Sequence, residues 1–500
     1  MKGLGFERKG AFRHRRMTLV ACLLLAGCTT VGPDFSAPKL QQGAAVLPSP
    51  PAVSDQRFDG AQAADWWRAY RCPSLDHLVQ VAFEQNPTVA AAQASLIQAG
   101  EYASAVRSNL TVPSVDAQLG QTRQRISTAA YGLPGGQAYT FSLSNASVNV
   151  SYPLDVFGGN RRQIEALEAQ HEMQAHLWQA ARETLAANVV TTVVREAMLR
   201  AQIEETQTQV RSQSELLSLA RQRQQLGALS VNDLAQPQTD LAQDRSSELA
   251  LLQQLDQTRH QLAAYLGQYP AQHDLPQFRL EDLHLPAELP SVVPSAMLRQ
   301  RPDIRASEAQ WHAANANLGV TIAGAYPDLK LTGNMGAMAL TPGALFSPAS
   351  SVWGLGVGVV QPLFHGGALA AQERSARAAV DAAAAQYRQT VVDAFRSMAD
   401  VLRALDHDAA TEGAQQEAEQ GQRETLRLTE RQYQLGGVSY PQLLAARQQE
   451  AARRSAVAAA KGARLADTAA FFLALGGEPA MANGSASSAL SNDHDTSGNP

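Results

Sequence analysis

Residues 159–226 and 367–435 form two tracts, 68 and 69 residues long, that have helical composition and contain no proline. At 1.5 Å per residue each tract reaches roughly 100 Å as a helix. A helix that long cannot be wrapped by one globular core, so it implies a coiled-coil-like or tubular assembly. Both tracts end the same way, in Leu226-Gly227-Ala228 and Leu435-Gly436-Gly437, and the helical pattern restarts at Ser230 and Ser439. The two glycines lie 209 residues apart. A hairpin tip repeated at that spacing indicates a duplicated structure.

The rest of the chain repeats with the tips. Residues 75–109 and 294–325 read as helices, interrupted at Asn86-Pro87 and at Arg301-Pro302. Pro113 and Pro327 mark where the helical pattern stops and strands are expected. Ala146, Val148, Val150 and Tyr152 alternate with Ser147, Asn149 and Ser151, and Trp353, Leu355, Val357 and Val359 alternate with Gly354, Gly356 and Gly358. This period of two is the strand signal. Pro153 and Pro362 are expected to end these strands, and Gly158-Gly159 and Gly366-Gly367 open the long helices. Return helices follow over 231–266 and 441–475, and Pro237 predicts a kink in the first. In each half the two shorter helices together match the long one, so they are expected to stack end to end beside it. The domain reading is 1–27 signal, 28–74 extended segment, 75–268 first repeat, 269–293 connector, 294–477 second repeat and 478–500 disordered tail.

Each half supplies two strands of about 10–13 residues, close to what a tilted membrane strand needs. Four strands cannot close a barrel, and an open sheet edge is not viable in lipid. The chain is therefore expected to oligomerise. A trimer gives twelve strands around a pore lined by the small residues Ser147, Asn149, Gly354 and Gly356.

Residues 2–16 are basic and 18–26 apolar, too short to span a bilayer, which is a secretory signal. Leu25-Ala26-Gly27-Cys28 resembles the bacterial lipobox, which implies lipidation at Cys28, with Thr29 favouring the outer membrane. Without residues 1–27 the balance is 35 basic to 45 acidic residues. That gives no basic face for nucleic acid. Cys72 is the one thiol of the chain body, so no internal disulfide is expected. His171 and His176, five apart on a helix, point about 140° from each other and cannot share a metal. Asp406-His407-Asp408 reads as a solvated helix face. No cofactor, no metal and no enzymatic activity are expected.

With these features in place, the chain resembles the TolC-like outer-membrane efflux channels, specifically the NodT-type lipoproteins. The resemblance rests on 28–35 (CTTVGPDF), Tyr70-Arg71, Arg301-Pro302-Asp303-Ile304, Tyr326-Pro327, 361–364 (QPLF) and the two Leu-Gly tips. It implies an α+β membrane protein: a homotrimer with a twelve-stranded barrel in outer-membrane lipid and an α-helical barrel in the periplasm. The tips, residues 226–228 and 435–437, would dock a periplasmic adaptor joined to an inner-membrane efflux pump. The channel would passively conduct small toxic compounds, with type I protein secretion as the alternative use of such a fold. The family's gate carries over to Asp233 and Tyr433, while Ser230-x-x-Asp233 and Ser439-x-x-Gln442 also fit capping boxes. The family's acidic ring falls on Gln442 and Ala445, so this chain lacks it.

Overall fold

The computed structural model describes residues 30–36, 65–127, 138–269, 275–286 and 298–476. The signal segment, Cys28 and the tail lie outside them. The elements in chain order are α1 (Pro73–Gln85), α2 (Pro87–Thr111), β1 (Ser114–Ser127), β2 (Ala138–Leu154), α3 (Gly159–Gln225), α4 (Ala235–Tyr265), α5 (Pro302–Ala323), β3 (Asp328–Ala339), β4 (Ser351–Val360), α6 (Ala368–Gln434) and α7 (Tyr440–Leu475). Both long helices have 67 residues. The described residues form two compact units, each drawing on both sequence repeats: one holds 30–36, 95–127, 138–174 and 306–388, the other 65–94, 175–269, 275–286, 298–305 and 389–476.

The first unit contains one antiparallel sheet in the order β1-β2-β3-β4. Its register sorts side chains by polarity, because alternate residues of a strand point to opposite faces. One face carries the rungs Ser114–Ser151–Thr332–Gly356 and Asp116–Asn149–Asn334–Gly354. The other carries Tyr152–Leu331–Val357, Val115–Val150–Gly333–Leu355 and Ala117–Val148–Met335–Trp353. With Leu154–Leu329–Val359 at one end and Leu119–Ala146–Ala337 at the other, the apolar face has five rungs, roughly 26 Å along the strands. Its outer strands are bare, Leu119 at 81% and Trp353 at 79% exposed, while Tyr152, Leu154 and Leu329 of the inner strands are half-buried. A soluble fold buries such a patch, so its exposure marks an interaction surface.

Two strands are longer than the expected 10–13 residues. β1 has 14 and β2 has 17. The extra length lies toward the loop end, where the polarity pattern inverts: Gln121, Arg123 and Arg125 fall on the face that held Leu119, while Leu143, Phe141 and Tyr139 fall on the polar one. Apolar alternation in one phase ends at that inversion. β2 also passes through Pro153, which sits one residue from its end opposite Lys330. There a missing N–H costs one ladder bond, not the strand.

A short strap, residues 30–36, lies in the same unit. Val31 N–H donates to Phe157 O at 3.1 Å, and Asn315 Nδ2 donates to Pro33 O at 2.9 Å. The buried Arg162 guanidinium donates to Val31 O and Gly32 O, both at 3.3 Å, and pairs with Asp34 at 2.6 Å and Glu165 at 2.7 Å. Phe35 stacks on His312 with centroids 4.6 Å apart, and His312 Nε2 lies 2.9 Å from Glu165. Nearby, the ring of His171 lies over Gly100, within 3.2 Å of where a Cβ would stand.

The second unit holds the main apolar core. Within the expected extended lead-in, Trp66–Tyr70 forms a 3-10 turn, and α1 begins at Pro73. Trp66 stacks on Phe472 at 5.3 Å, and the Tyr70 hydroxyl donates to Leu465 O at 2.7 Å. Each fully buried side chain of this size contributes roughly 1.5–3 kcal/mol.

The prolines that interrupt the short helices have structural partners. Asn86 Oδ1 accepts from Thr88 N and Val89 N, capping α2, while its Nδ2 donates to Tyr265 O at the end of α4. Arg301 does the same work in the second half: it donates to Ala474 O at the end of α7 and forks onto Asp303 at the start of α5. Each joint sets the end of a return helix against the start of a shorter one, so the end-to-end stacking is present in both repeats.

Two readings change. Pro237 does not kink α4: the helix starts at Ala235, so the proline falls in the first turn, where its missing N–H has no helical partner to lose. Asp408 is not on a solvated face. It is partly buried facing Asp467, and burial first, then the neighbouring carboxyl, pushes its pKa up to about 6.

Candidate functional site

The two tips lie in the second unit and share one backbone geometry. At the first, Gly227 N–H donates to Gln224 O and Ala228 N–H to Arg223 O, at 3.0 and 2.8 Å. At the second, Gly436 N–H donates to Tyr433 O and Gly437 N–H to Gln432 O, again at 3.0 and 2.8 Å. This is the Schellman closure, which needs a left-handed residue after the helix. Gly227 and Gly436 both have φ +75°. A Cβ at either would meet nothing within 4 Å, so glycine is there for its conformation and not for space. The closure turns Leu226 and Leu435 outward, 84% and 78% exposed.

After each tip the chain restarts on a reciprocal cap. Ser230 N–H donates to Asp233 Oδ2 at 2.9 Å, and Asp233 N–H to Ser230 Oγ at 3.3 Å. The Ser230 hydroxyl first, and then the Ser230 N–H, hold the Asp233 carboxyl below the usual carboxylate range. At the second tip Ser439 and Gln442 form the same box. Gln442, at the position where the resemblance implies an acidic residue, is thus occupied as a cap. Among the described residues no hydrogen bond joins Asp233 to Tyr433. Tyr433 instead packs on Tyr440, with centroids 5.5 Å apart. The Tyr440 hydroxyl donates to Glu215 Oε2 at 2.5 Å, and that bond to a carboxylate raises its pKa.

Behind the tips the helices meet through amides. Gln448 of α7 donates to Gln213 of α3 at 2.6 Å. Gln213, itself buried, donates to Asp240 of α4 at 3.3 Å, and Gln236 donates to Asp240 at 2.7 Å. Leu216, Ala220 and Pro237 complete a cleft of about 290 Å³ beside this ladder. Sequence reading missed Glu215–Tyr440 and Gln213–Gln448, because both join residues more than 200 positions apart and carry no local motif.

Comparison with known proteins gives the arrangement its context. The family model described as outer membrane efflux protein matches residues 78–268 and 293–477. The chain belongs to the outer membrane efflux protein family. The pyoverdine export outer membrane protein OpmQ of Pseudomonas putida is 31% identical over 435 residues, 85% of this chain and 88% of its own length. The antibiotic efflux pump outer membrane protein ArpC, also of Pseudomonas putida, is 31% identical over 424 residues, 83% of this chain and 86% of its own. Among solved structures, the outer-membrane channel OprN is similar at 25% identity with a TM-score of 0.78, covering 90% of this chain and 99% of its own. The MtrE outer membrane channel of Neisseria gonorrhoeae in its open state gives 25% and 0.77, covering 90% and 98%. The fold is that of the outer-membrane efflux channels, and this family member is an outer-membrane efflux component.

Proposed function

We propose that three copies of this chain close one barrel and form a passive exit duct for small toxic compounds, fed by a periplasmic adaptor and an inner-membrane pump. The carrying observation is the sheet. Its apolar face runs over five rungs with the outer strands exposed, its opposite face is polar, and β1 and β4 each leave an unpaired edge among the described residues. In hydrocarbon an unpaired edge is prohibitive, so β4 of one copy pairs with β1 of the next. Three copies give twelve strands, enough for an open lumen lined by Asn149, Asn334 and Ser151. Mass measurement of the detergent-extracted protein should return a trimer from outer-membrane fractions, and a monomer in the soluble fraction would sink the reading.

The tips support the docking and gating role. Residues 226–228 and 435–437 present leucine beside glycine with no charge, a surface suited to an apolar groove on an adaptor. Asp233 and Tyr433 stand beside them, available to a neighbouring protomer's hairpin. Replacing Asp233 with alanine or Tyr433 with phenylalanine should raise the closed-state conductance of trimers in planar bilayers. Unchanged conductance in both variants rejects the link.

Cys28, outside the described residues, is the proposed acylation site. The pinned strap that begins two residues later supports this, since it fixes where an anchor attaches. At about 0.8 kcal/mol per buried CH₂, several acyl chains hold firmly. Changing Cys28 to serine should abolish metabolic palmitate labelling, and persistent label would place the acyl group elsewhere.

A further inference from the structure

The sheet changes character beyond Leu119–Ala146–Ala337, its last apolar rung. On the same face the next positions of β1 are Gln121, Arg123 and Arg125, opposite Ser144, Ser142 and Thr140. These two arginines are the only charged residues between 117 and 154, a stretch with no aspartate or glutamate. The second strand pair carries only Lys330 between 329 and 364, and the register puts it on the opposite face. Both arginines are exposed, and among the described residues neither has an ion-pair partner. In a chain with more acids than bases, two cations without a counter-charge on one strand face require a ligand or leave a concentrated positive patch.

We propose that Arg123 and Arg125 bind the phosphate groups of lipids in the outer leaflet. This rests on the outer-membrane channel reading, in which the apolar rungs face hydrocarbon. Strand parity then places both guanidinium groups on the lipid side, not in the lumen. They stand four and six residues past Leu119, roughly 13 and 20 Å along a strand that is tilted to the bilayer normal. Arginine stems reach back along apolar surface while the head group stays in the polar layer. That brings both forks to the phosphate layer just outside the hydrocarbon. The planar guanidinium engages two phosphate oxygens at once, and alternate strand positions set the two forks roughly 7 Å apart. Ser142 and Thr140 add neutral hydrogen-bonding groups between them.

The test uses the full-length protein purified as its oligomer. Bisphosphorylated lipid A is added in detergent, and bound lipid is read by native mass spectrometry. The wild type should retain lipid A, and the R123Q/R125Q variant should bind it roughly 10- to 30-fold more weakly, as expected for two arginines at an anionic surface. Inorganic phosphate at the same concentration should not displace it. Equal retention by the double variant overturns the proposal, and so does displacement by inorganic phosphate, which would show a free-anion site. The single variants R123Q and R125Q, each expected to lose roughly three- to fivefold, keep the test decisive if the double variant does not assemble. A channel that assembles and conducts but shows no arginine dependence rejects this inference alone. A chain absent from outer-membrane fractions rejects the reading beneath it.

Discussion

Replacing Arg162 with methionine is expected to free the strap and to speed hydrogen exchange of the Val31 amide, which donates to Phe157 O, by roughly 100-fold. The side chain is only 5% exposed and donates to two strap carbonyls as well as to Asp34 and Glu165. Methionine fills much of the volume but removes every donor. Burial works against the Glu165 carboxylate, yet hydrogen bonds from Arg162 and His312 outweigh it and hold its pKa below the ordinary value. Without Arg162 that carboxylate keeps only His312. Breaking a buried charge pair typically costs about 3–5 kcal/mol. Asp34 is largely solvated, so about 3 kcal/mol is the fitting figure, and it corresponds to the 100-fold change. The Glu165 contribution is complete above its unfolded pKa of about 4.3 and fades as pH falls through the lower folded value. Acid below about pH 4 should therefore loosen the strap of the wild type in the same direction. Exchange at Val31 as slow in R162M as in the wild type would contradict the assignment.

Gly336→Ala should prevent most of the chain from reaching a heat-resistant oligomer. A Cβ at Gly336 would stand 2.2 Å from Ala146 O and 2.6 Å from Ser147 Cα. Both are backbone atoms of β2, and β3 is held on its other side by β4, so no side chain can swing away to make room. Overpacking in tight interiors costs about 1–3 kcal/mol, and a clash with rigid backbone on a doubly paired strand lies at or above the upper end. Gly354→Ala is the matched control. Its Cβ meets the Asn334 amide oxygen at 2.5 Å, the far end of a side chain that can rotate, so a cost below about 1 kcal/mol is expected. Heating extracts before electrophoresis compares the two. If G336A runs as oligomer in the same proportion as G354A, the steric account fails.

The duplication was legible because it is written in residues with one dominant backbone meaning. Leu-Gly at both tips, Asn86-Pro87 and Arg301-Pro302 at both joints, and the glycines opening both long helices all act through local geometry. The capping boxes at Ser230 and Ser439 were legible for the same reason. What failed depended on position or on distant contacts. Pro237 was misread because its effect turns on whether it falls in the first turn or later. The loop ends of β1 and β2 were missed because their polarity runs in the opposite phase. Asp408 looked solvated because Asp467, which faces it, is 59 positions away. Arg162 gave no signal at all, since its role depends on a strap about 130 residues upstream.

The amide ladder of Gln448, Gln213 and Asp240 sets the thermal behaviour of the tip. Parting an apolar seam exposes hydrocarbon to water and changes the heat capacity strongly. Parting a seam of amides and a carboxylate exposes polar surface, whose contribution is smaller and opposite in sign. Rearrangement of the helices at this end therefore carries a small heat-capacity change. Its equilibrium therefore follows a nearly straight van't Hoff line, with a slope set by the enthalpy of the parted amide hydrogen bonds.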